Sequence, residues 1–331
     1  MDGMDTLKKV MEEEFVPVIM VSSLSREGFA RSFDTLKNGA VDFLGKDSLH
    51  PKRGVELLKK ELLYRIICAS KVKAKKQVDD QSDYNSGIAN EPRQKRVISC
   101  EECGTRNVIE PDTENDSSEL ICNQCGDRLE AIVISKYRRV SSIGVIGAGR
   151  GGSVNLLTIV PRLPKEASTT LIVVMHEATD YIESFSRYLN SVSNIKVMRL
   201  QEGMNIEGGN CYIASYQDNF SMVSHSTNFT IRKSEPVTGY GALDLMFDSI
   251  SSIMKNRMFA LVLSGNQLDG DKGIQQVRKN QGYSAVLNAA SCLCKELGEN
   301  ILKKSAIDRI VDEHNCIQLL NTYHDSNGLQ Q

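Results

Sequence analysis

The sequence predicts an α/β fold in which a parallel sheet is covered by helices on both faces, and three observations support this prediction. Residues 143–148, 171–175, 211–214 and 259–263 are largely continuous apolar runs of strand length, as is typical of strands buried on both faces. Helical signals alternate with these runs, most clearly over residues 243–254, where apolar side chains recur at helical spacing. A glycine-rich turn, GRGG at 149–152, follows the first run, and such a turn is typical where a buried strand passes into a helix.

The bulk properties of the chain restrict the classes of protein that it can belong to. With 331 residues and 40% hydrophobic content, it is long enough for a sizeable core and for two or three domains. A formal net charge of −2 provides no basic field, which argues against a nucleic-acid partner. The N-terminus lacks the apolar core of a secretory signal, and no apolar run approaches eighteen residues. We therefore expect a cytoplasmic protein without membrane insertion.

The composition divides the chain into four segments. Residues 1–70 alternate helix and strand signals, which indicates a small α/β unit. Residues 71–97 are polar and charged without periodicity, as in a mobile linker. A cysteine-containing segment follows at 98–135, and the α/β pattern of the predicted sheet occupies 138–325.

Two CxxC pairs in the third segment predict a metal site. Cys100 and Cys103 are separated from Cys122 and Cys125 by eighteen residues, and a glycine follows each pair. This spacing is typical of a four-cysteine zinc ribbon, although iron in a rubredoxin-like site uses similar pairs and is not excluded. Four protein ligands leave no open position on the metal, so we expect the ion to be structural.

Five further cysteines are scattered along the chain, as expected for reduced thiols in a protein of this class. Cys211 lies in a predicted strand and is expected to be buried, and the spacing of Cys292 and Cys294 is too weak a signal for a ligand pair. The other two are Cys68 and Cys316.

Three elements of the last segment follow strands of the predicted sheet. They are the glycine turn after Ala148, His176 after the run at 171–175, and Asp269 a few residues after the run at 259–263. The carboxyl ends of parallel strands are where ligands and catalytic groups collect. We therefore expect these three elements to form one site.

The segments that carry these elements resemble those of the CheB chemotaxis protein-glutamate methylesterases. GAGRGG at 147–152, MHEA at 175–178 and LSGNQLDG at 263–270 correspond to the family's GASTGG-like, QHMP-like and LTGMGxDG-like segments. The resemblance implies a doubly wound parallel sheet and an enzyme that demethylates chemoreceptors and deamidates their glutamines. Its partners would be chemoreceptor cytoplasmic domains and the chemotaxis kinase.

Residues 1–70 resemble the C-terminal half of the flavodoxin-like receiver domain that this family carries. PVIMVSSLS and GAVDFLGKD are the matching segments, and Ser22 and Lys46 align with the hydroxyl and the lysine that contact the phosphoryl group in the family. The phosphorylated aspartate and the metal-binding acidic pair belong to earlier strands, which this sequence does not contain. We therefore expect that Met1 is an internal methionine of a longer reading frame or that the gene is truncated.

The resemblance assigns His176 as general base and Asp269 as its orienting carboxylate, but the position of the nucleophilic serine is Gly149. A base without a nucleophile to activate cannot support a serine mechanism, so we expect an impaired enzyme that acts as a receptor-binding or regulatory module. Arg150 replaces a small hydroxyl residue of the family. Ser153 lies one helical turn further on, where a helix N-cap or a surface position is expected.

Two alternatives stay open at this point. The first is an active methylesterase that uses an unrecognised nucleophile. The second is a dinucleotide-binding domain, because residues 147–152 satisfy GxGxxG after a strand and Glu177 ends the next strand roughly where a ribose-binding acid is sought. One substitution in a family-type turn would create this pattern by accident.

Overall fold

A computed structural model describes residues 3–14, 16–22, 26–46, 55–72, 96–99, 103, 105–109, 121–126, 138–165, 169–225 and 228–322. The chain forms two compact units. The larger unit contains Met1–Gln77 together with Arg139–Gln331, and the smaller one contains Val78–Arg138.

A seven-stranded sheet forms the centre of the larger unit, and all of its strand pairs are parallel. The predicted α/β fold with a large parallel sheet is therefore confirmed. The strands are β5 (Ser142–Ala148), β6 (Thr169–Met175), β7 (Val197–Arg199), β8 (Cys211–Ser215), β11 (Met258–Val262), β12 (Tyr283–Leu287) and β13 (Arg309–Val311). Across the sheet their order is β13-β12-β11-β5-β6-β8-β7.

Helices cover both faces of this sheet. Successive side chains of each strand point to opposite sides, and since buried apolar side chains of the strands lie on both sides, both faces need a cover. Along β5, Ile146 and Ala148 belong to one core cluster, whereas Ile143 and Val145 belong to the other. The first cluster contains residues of α4 (Gly152–Ile159), α5 (Thr179–Val192) and α9 (Glu313–Thr322), and the second contains residues of α6 (Ala242–Met254), α7 (Asp271–Lys279) and α8 (Glu296–Lys304). Cys211 is fully buried, as predicted.

The chain reverses its direction of travel across the sheet at β5. The strands that follow β5 directly lie on one side of it, and β11 with its successors lies on the other. The loops after β5 and β11 therefore meet at the point where ligands bind in sheets of this type. An antiparallel hairpin, β9 (Phe220–His225) and β10 (Asn228–Lys233), stands beside the sheet.

The N-terminal residues fold against the first face of the sheet and not as a separate body. They form α1 (Gly3–Glu13), β1 (Ile19–Ser22), α2 (Arg26–Lys37), β2 (Asp42–Gly45) and α3 (Val55–Ser70), with β1 parallel to β2. Phe33 of α2 is fully buried, and its ring lies 5.2 to 5.4 Å from those of Tyr181, Phe185 and Tyr188 on α5. These aromatic contacts bury apolar surface from both parts of the chain in one core.

The smaller unit contains the antiparallel strands β3 (Arg96–Ser99) and β4 (Arg106–Ile109). β3 begins two residues inside the segment predicted as linker, whose central part lies outside the described residues. Among the helices that the structure describes, none combines the length and the apolar character needed to cross a membrane.

Candidate active site

The glycine turn after β5 is packed tightly against the loop that follows β11. The amide of Gly149 donates to the carbonyl of Ser264 at 2.8 Å, and the amide of Gly152 donates to the carbonyl of Gly149 at the same distance. Gly151 has a φ of +82°, and a Cβ there would lie 2.5 Å from Cβ of Leu293. Glycine at 151 is therefore required by both backbone conformation and space.

The space beside Gly149 is occupied by the side chain of Gln267. A Cβ built on Gly149 would lie 2.0 Å from Oε1 of Gln267. This oxygen is buried and has no hydrogen-bond partner among the described residues, which is a costly arrangement for a polar atom. The position that the resemblance assigns to a nucleophilic hydroxyl thus holds the end of a glutamine.

His176 follows β6 at the same edge of the sheet. Its amide donates to the carbonyl of Ala148 at 2.8 Å, and its ring stacks on that of Tyr216 with centroids 4.1 Å apart. Partial desolvation lowers the pKa of His176 below the usual 6.5, and the charge of Asp269 opposes this shift. The imidazole is therefore neutral at pH 7, the form that a general base needs.

Asp269 lies in front of the N-terminus of α6, which explains its orientation. Its carboxylate accepts hydrogen bonds from the amides of Leu243 at 3.0 Å, Asp244 at 3.2 Å and Gly270 at 2.7 Å. Amides at a helix N-terminus stabilise a negative charge. Within the described residues no hydrogen bond joins Asp269 to His176, and the two interact through charge.

Ser153 does not have the role expected from the sequence. It is the second residue of α4, whose N-cap is Gly151, and it is buried. Its hydroxyl shares a hydrogen bond of 2.6 Å with the hydroxyl of Tyr181. The expectation of an N-cap or surface position is therefore wrong, because a left-handed glycine already precedes the helix and α5 supplies a buried partner.

Arg150, next to the candidate nucleophile position, is held by α3 of the N-terminal segment. Its guanidinium lies 3.6 Å from the carboxylate of Glu61 and 5.4 Å from the centre of the Tyr64 ring, within the range of a cation–π contact. Sequence reasoning missed both partners, since no motif links residues so distant along the chain.

A cavity of about 450 Å³ lies between β2 and α3 on one side and the glycine turn and α5 on the other. Arg65, Arg150, Ser153 and Glu177 contribute to its wall. Burial raises the pKa of Glu177 to about 7, although the charge of Arg150 acts in the opposite direction. Glu177 therefore titrates near neutrality on the side of the turn that faces the N-terminal segment.

The two residues that the resemblance aligns with a receiver domain, Ser22 and Lys46, belong to the ends of paired parallel strands. Ser22 ends β1, its register partner Gly45 ends β2, and Lys46 follows directly with an exposed side chain. Both residues therefore stand at the same edge of the two-stranded sheet.

Three of the four predicted metal ligands cluster in the smaller unit. The sulfur atoms of Cys103, Cys122 and Cys125 all lie within 4.8 Å of one another. Cys100 lies outside the described residues. Three thiols at this separation are a donor set that suits tetrahedral zinc.

Comparison with known proteins gives a consistent result. The family model described as CheB methylesterase matches residues 144–320, more than half of the chain. The protein-glutamate methylesterase/protein-glutamine glutaminase of Oceanobacillus iheyensis is 28% identical over 291 residues, which cover 87% of this chain and 71% of that protein. The protein of the same name from Halalkalibacterium halodurans is 24% identical over 313 residues, which cover 94% of this chain and 78% of that protein.

A solved structure shows the same fold. The crystal structure of the Thermotoga maritima CheB methylesterase catalytic domain aligns with a TM-score of 0.51 and 24% sequence identity. The alignment covers 54% of this chain and 97% of that domain.

Proposed function

The chain belongs to the CheB methylesterase family, and we propose that it binds chemoreceptor cytoplasmic segments at the family's site without efficiently hydrolysing their glutamate methyl esters. In this role it would act as a receptor-binding or regulatory module. The chemotaxis kinase stays a predicted second partner, on the strength of the family resemblance alone.

The observation that supports lost hydrolysis is the pair formed by Gly149 and Gln267. Ester hydrolysis in this family needs a hydroxyl on the turn, and Gly149 has no side chain to attack with. In the segment LSGNQLDG, Gln267 stands where the family's LTGMGxDG-like segment has a second glycine, and its side chain fills the vacated space. Two changes that fit each other spatially favour a site that has adapted to the absence of serine.

The observation that supports continued binding is the remainder of the site. His176 and Tyr216 present a stacked pair at the sheet edge, and Asp269 is held by two amides of the first turn of α6 and by the amide of Gly270. A neutral imidazole and an aromatic ring suit recognition of a glutamyl ester or amide side chain, which is uncharged. Binding of such a side chain does not require the nucleophile.

Two measurements on the full chain test this proposal. Binding of a chemoreceptor cytoplasmic fragment is measured by calorimetry with glutamate methyl ester, glutamine or free glutamate at the modified positions, and methanol release is followed in parallel. We expect tighter binding of the ester and amide forms and negligible methanol release. Equal or absent binding to all three forms would contradict the binding role, and methanol release that disappears in His176→Ala would contradict lost hydrolysis.

An active methylesterase with another nucleophile is the second candidate. Ser153 is the nearest serine along the chain after the turn, but its hydroxyl is buried and paired with Tyr181. A serine-directed fluorophosphonate probe should therefore leave the protein unlabelled. Labelling of one defined serine, lost when that serine is changed to alanine, would favour this second candidate.

Dinucleotide binding is less well supported by the same geometry. The turn that satisfies GxGxxG is pressed against Leu293 and Ser264 at Gly151, where a phosphate cradle needs free space. Titration with NAD in a calorimeter should show no heat of binding.

The smaller unit is proposed to hold one structural zinc ion on Cys103, Cys122 and Cys125, with Cys100 as the fourth ligand. The close approach of the three described sulfurs supports this assignment. Metal analysis should find one zinc ion per chain, and Cys122→Ser should reduce zinc retention and destabilise the unit. Iron in place of zinc would be recognised by its visible absorption.

A further inference from the structure

Two buried cysteines from distant parts of the chain are in contact near the candidate site. Cys68 lies on α3, and Cys294 lies just before α8. Their sulfur atoms are 3.6 Å apart although the residues are 226 positions apart in the sequence. The two residues are only 5% and 1% exposed, so a dissolved oxidant reaches their sulfur atoms only when the structure opens locally. Nothing in the mechanism proposed above uses either thiol.

The Cys294 side of the contact is held by the loop that supports the glycine turn. The amide of Cys294 donates to Oγ of Ser264 at 3.0 Å, and its carbonyl accepts from the amide of Gly265 at 2.9 Å. The same Ser264 hydroxyl donates to the carbonyl of Arg150 at 2.7 Å. Cys294 is therefore connected to the turn through a single serine side chain.

The Cys68 side of the contact belongs to a face of α3 that binds the rest of the larger unit. Glu61, Tyr64 and Cys68 follow one another at spacings of three and four residues, which places them on one side of the helix. Glu61 pairs with Arg150, and the Tyr64 hydroxyl donates to Glu296 at 3.2 Å. These contacts on one face of α3 thus hold Cys68 beside Cys294.

We propose that Cys68 and Cys294 form a reversible disulfide when the protein meets an oxidant of the peroxide class, and that this bond fastens α3 against the glycine turn. In the first step one sulfur attacks a peroxide oxygen, the O–O bond breaks, and a sulfenic acid and water result. In the second step the other sulfur attacks the sulfenic sulfur, the S–O bond breaks, and water leaves. Two thiols and one hydrogen peroxide give one disulfide and two waters.

The surroundings of Cys294 make its sulfur a slow nucleophile. Burial raises the pKa of Cys294 to about 12, so this sulfur remains a thiol at neutral pH, and thiols react far more slowly than thiolates. Oxidation is therefore expected to be slow and to require excess peroxide. Dithiothreitol should reverse it.

Peptide mapping of the full chain tests the bond directly. After treatment with hydrogen peroxide and blocking of free thiols, we expect tryptic fragments 66–71 and 280–295 to appear linked, two hydrogens lighter than the sum of the fragments. Fragment 280–295 contains both Cys292 and Cys294, so Cys292→Ser is the matched control and should keep the link, whereas Cys294→Ser should abolish it. A link that maps to Cys292, or two separately blocked or over-oxidised thiols, would overturn the proposal.

Hydrogen exchange tests the mechanical consequence independently of any enzymatic activity. In the linked protein, amides of α3 should exchange about tenfold more slowly than in the reduced protein, because local opening of the helix is restricted. Dithiothreitol should restore the original rate. Unchanged exchange in protein that carries the mapped bond would show that the bond does not fasten α3. In the conservative variant Cys68→Ser, the amides of α3 should exchange as fast as in the unlinked protein, with or without peroxide.

Discussion

Changing Gly149 to serine and Gln267 to glycine should restore ester hydrolysis at the site. Gly149 is not among the residues with positive φ, so its backbone accepts a serine. The obstacle is the amide of Gln267, whose Oε1 would lie 2.0 Å from the new Cβ. Removing that side chain empties the space for the hydroxyl. Gly149→Ser alone must displace the glutamine and should gain less activity than the double variant.

The size of the gain follows from the geometry of the two remaining groups. The nucleophile of a serine triad contributes a factor of about 10⁶ to kcat, or about 8 kcal/mol. Because no described hydrogen bond joins His176 to Asp269, the base is less well oriented, and a misoriented base costs up to about 10⁴. The net increase in methyl ester hydrolysis should therefore be at least about 100-fold over the parent protein.

The assay is methanol release from a methylated chemoreceptor cytoplasmic fragment, with receptor binding and thermal stability measured on the same preparations. Gln267→Gly alone should stay inactive, and His176→Ala in the double variant should return the rate to that of the parent. A double variant that is folded and binds the receptor fragment, yet hydrolyses no faster than the parent, would refute the reasoning. The fault would then lie in the position of His176 and not in the missing hydroxyl.

Three further predictions concern pH and packing. The reactivated variant should lose activity only below pH 6.5, because desolvation lowers the pKa of His176. Adding Asp269→Asn removes a charge that raises this pKa, so in a pH–rate profile the loss of activity should move to still lower pH. Burial raises the pKa of Glu177 from 4.5 to about 7, so the free energy of unfolding should fall as pH rises through this range. Above pH 7 the free energy of unfolding of Glu177→Gln should therefore be higher than that of the parent protein, by at most about 3 kcal/mol. Urea denaturation at pH 5 and pH 8 measures this, and a difference that does not grow with pH would contradict it. Phe33→Ala should lower the free energy of unfolding by about 3–5 kcal/mol. The control variant is Leu62→Ala, because Leu62 is 38% exposed, and it should change the free energy of unfolding by less than about 1 kcal/mol. Equal losses of the two variants in urea denaturation would argue against the buried aromatic contact.

Four strands of the large sheet, β5, β6, β8 and β11, could be predicted closely because they are buried on both faces. The apolar run predicted at 143–148 corresponds to β5 at Ser142–Ala148, and that at 259–263 to β11 at Met258–Val262. A continuous apolar run carries this information locally, without knowledge of neighbours. Once the strands were predicted, His176 and Asp269 could be placed at one edge of the sheet, because both follow the carboxyl ends of parallel strands.

The role of Ser153 could not be predicted in the same way. Its burial depends on Tyr181, which comes from a helix packed across the turn. A local rule for helix starts favoured an N-cap, and tertiary packing overrode it. The contact of Arg150 with Glu61 has the same origin, because it joins segments that the sequence separates by the linker and the cysteine-containing unit.

Gln267 is an intermediate case. A signal was present, since a glycine of the family's segment is replaced by a long amide side chain. The direction of that side chain was not contained in the sequence, because a glutamine in a loop has several rotamers with similar energies. Only the packed structure shows that it turns into the space beside Gly149.

The sequence by itself determined the family, the parallel sheet, and the absence of a hydroxyl at Gly149, because each of these is expressed in local patterns of residues. The tertiary structure decided what fills the space of that hydroxyl and what covers the turn. Both depend on side chains from distant segments, Gln267 and the α3 face with Cys68, whose positions are fixed only when the two parts of the chain share one core. Long-range packing of this kind leaves no periodic trace in the sequence.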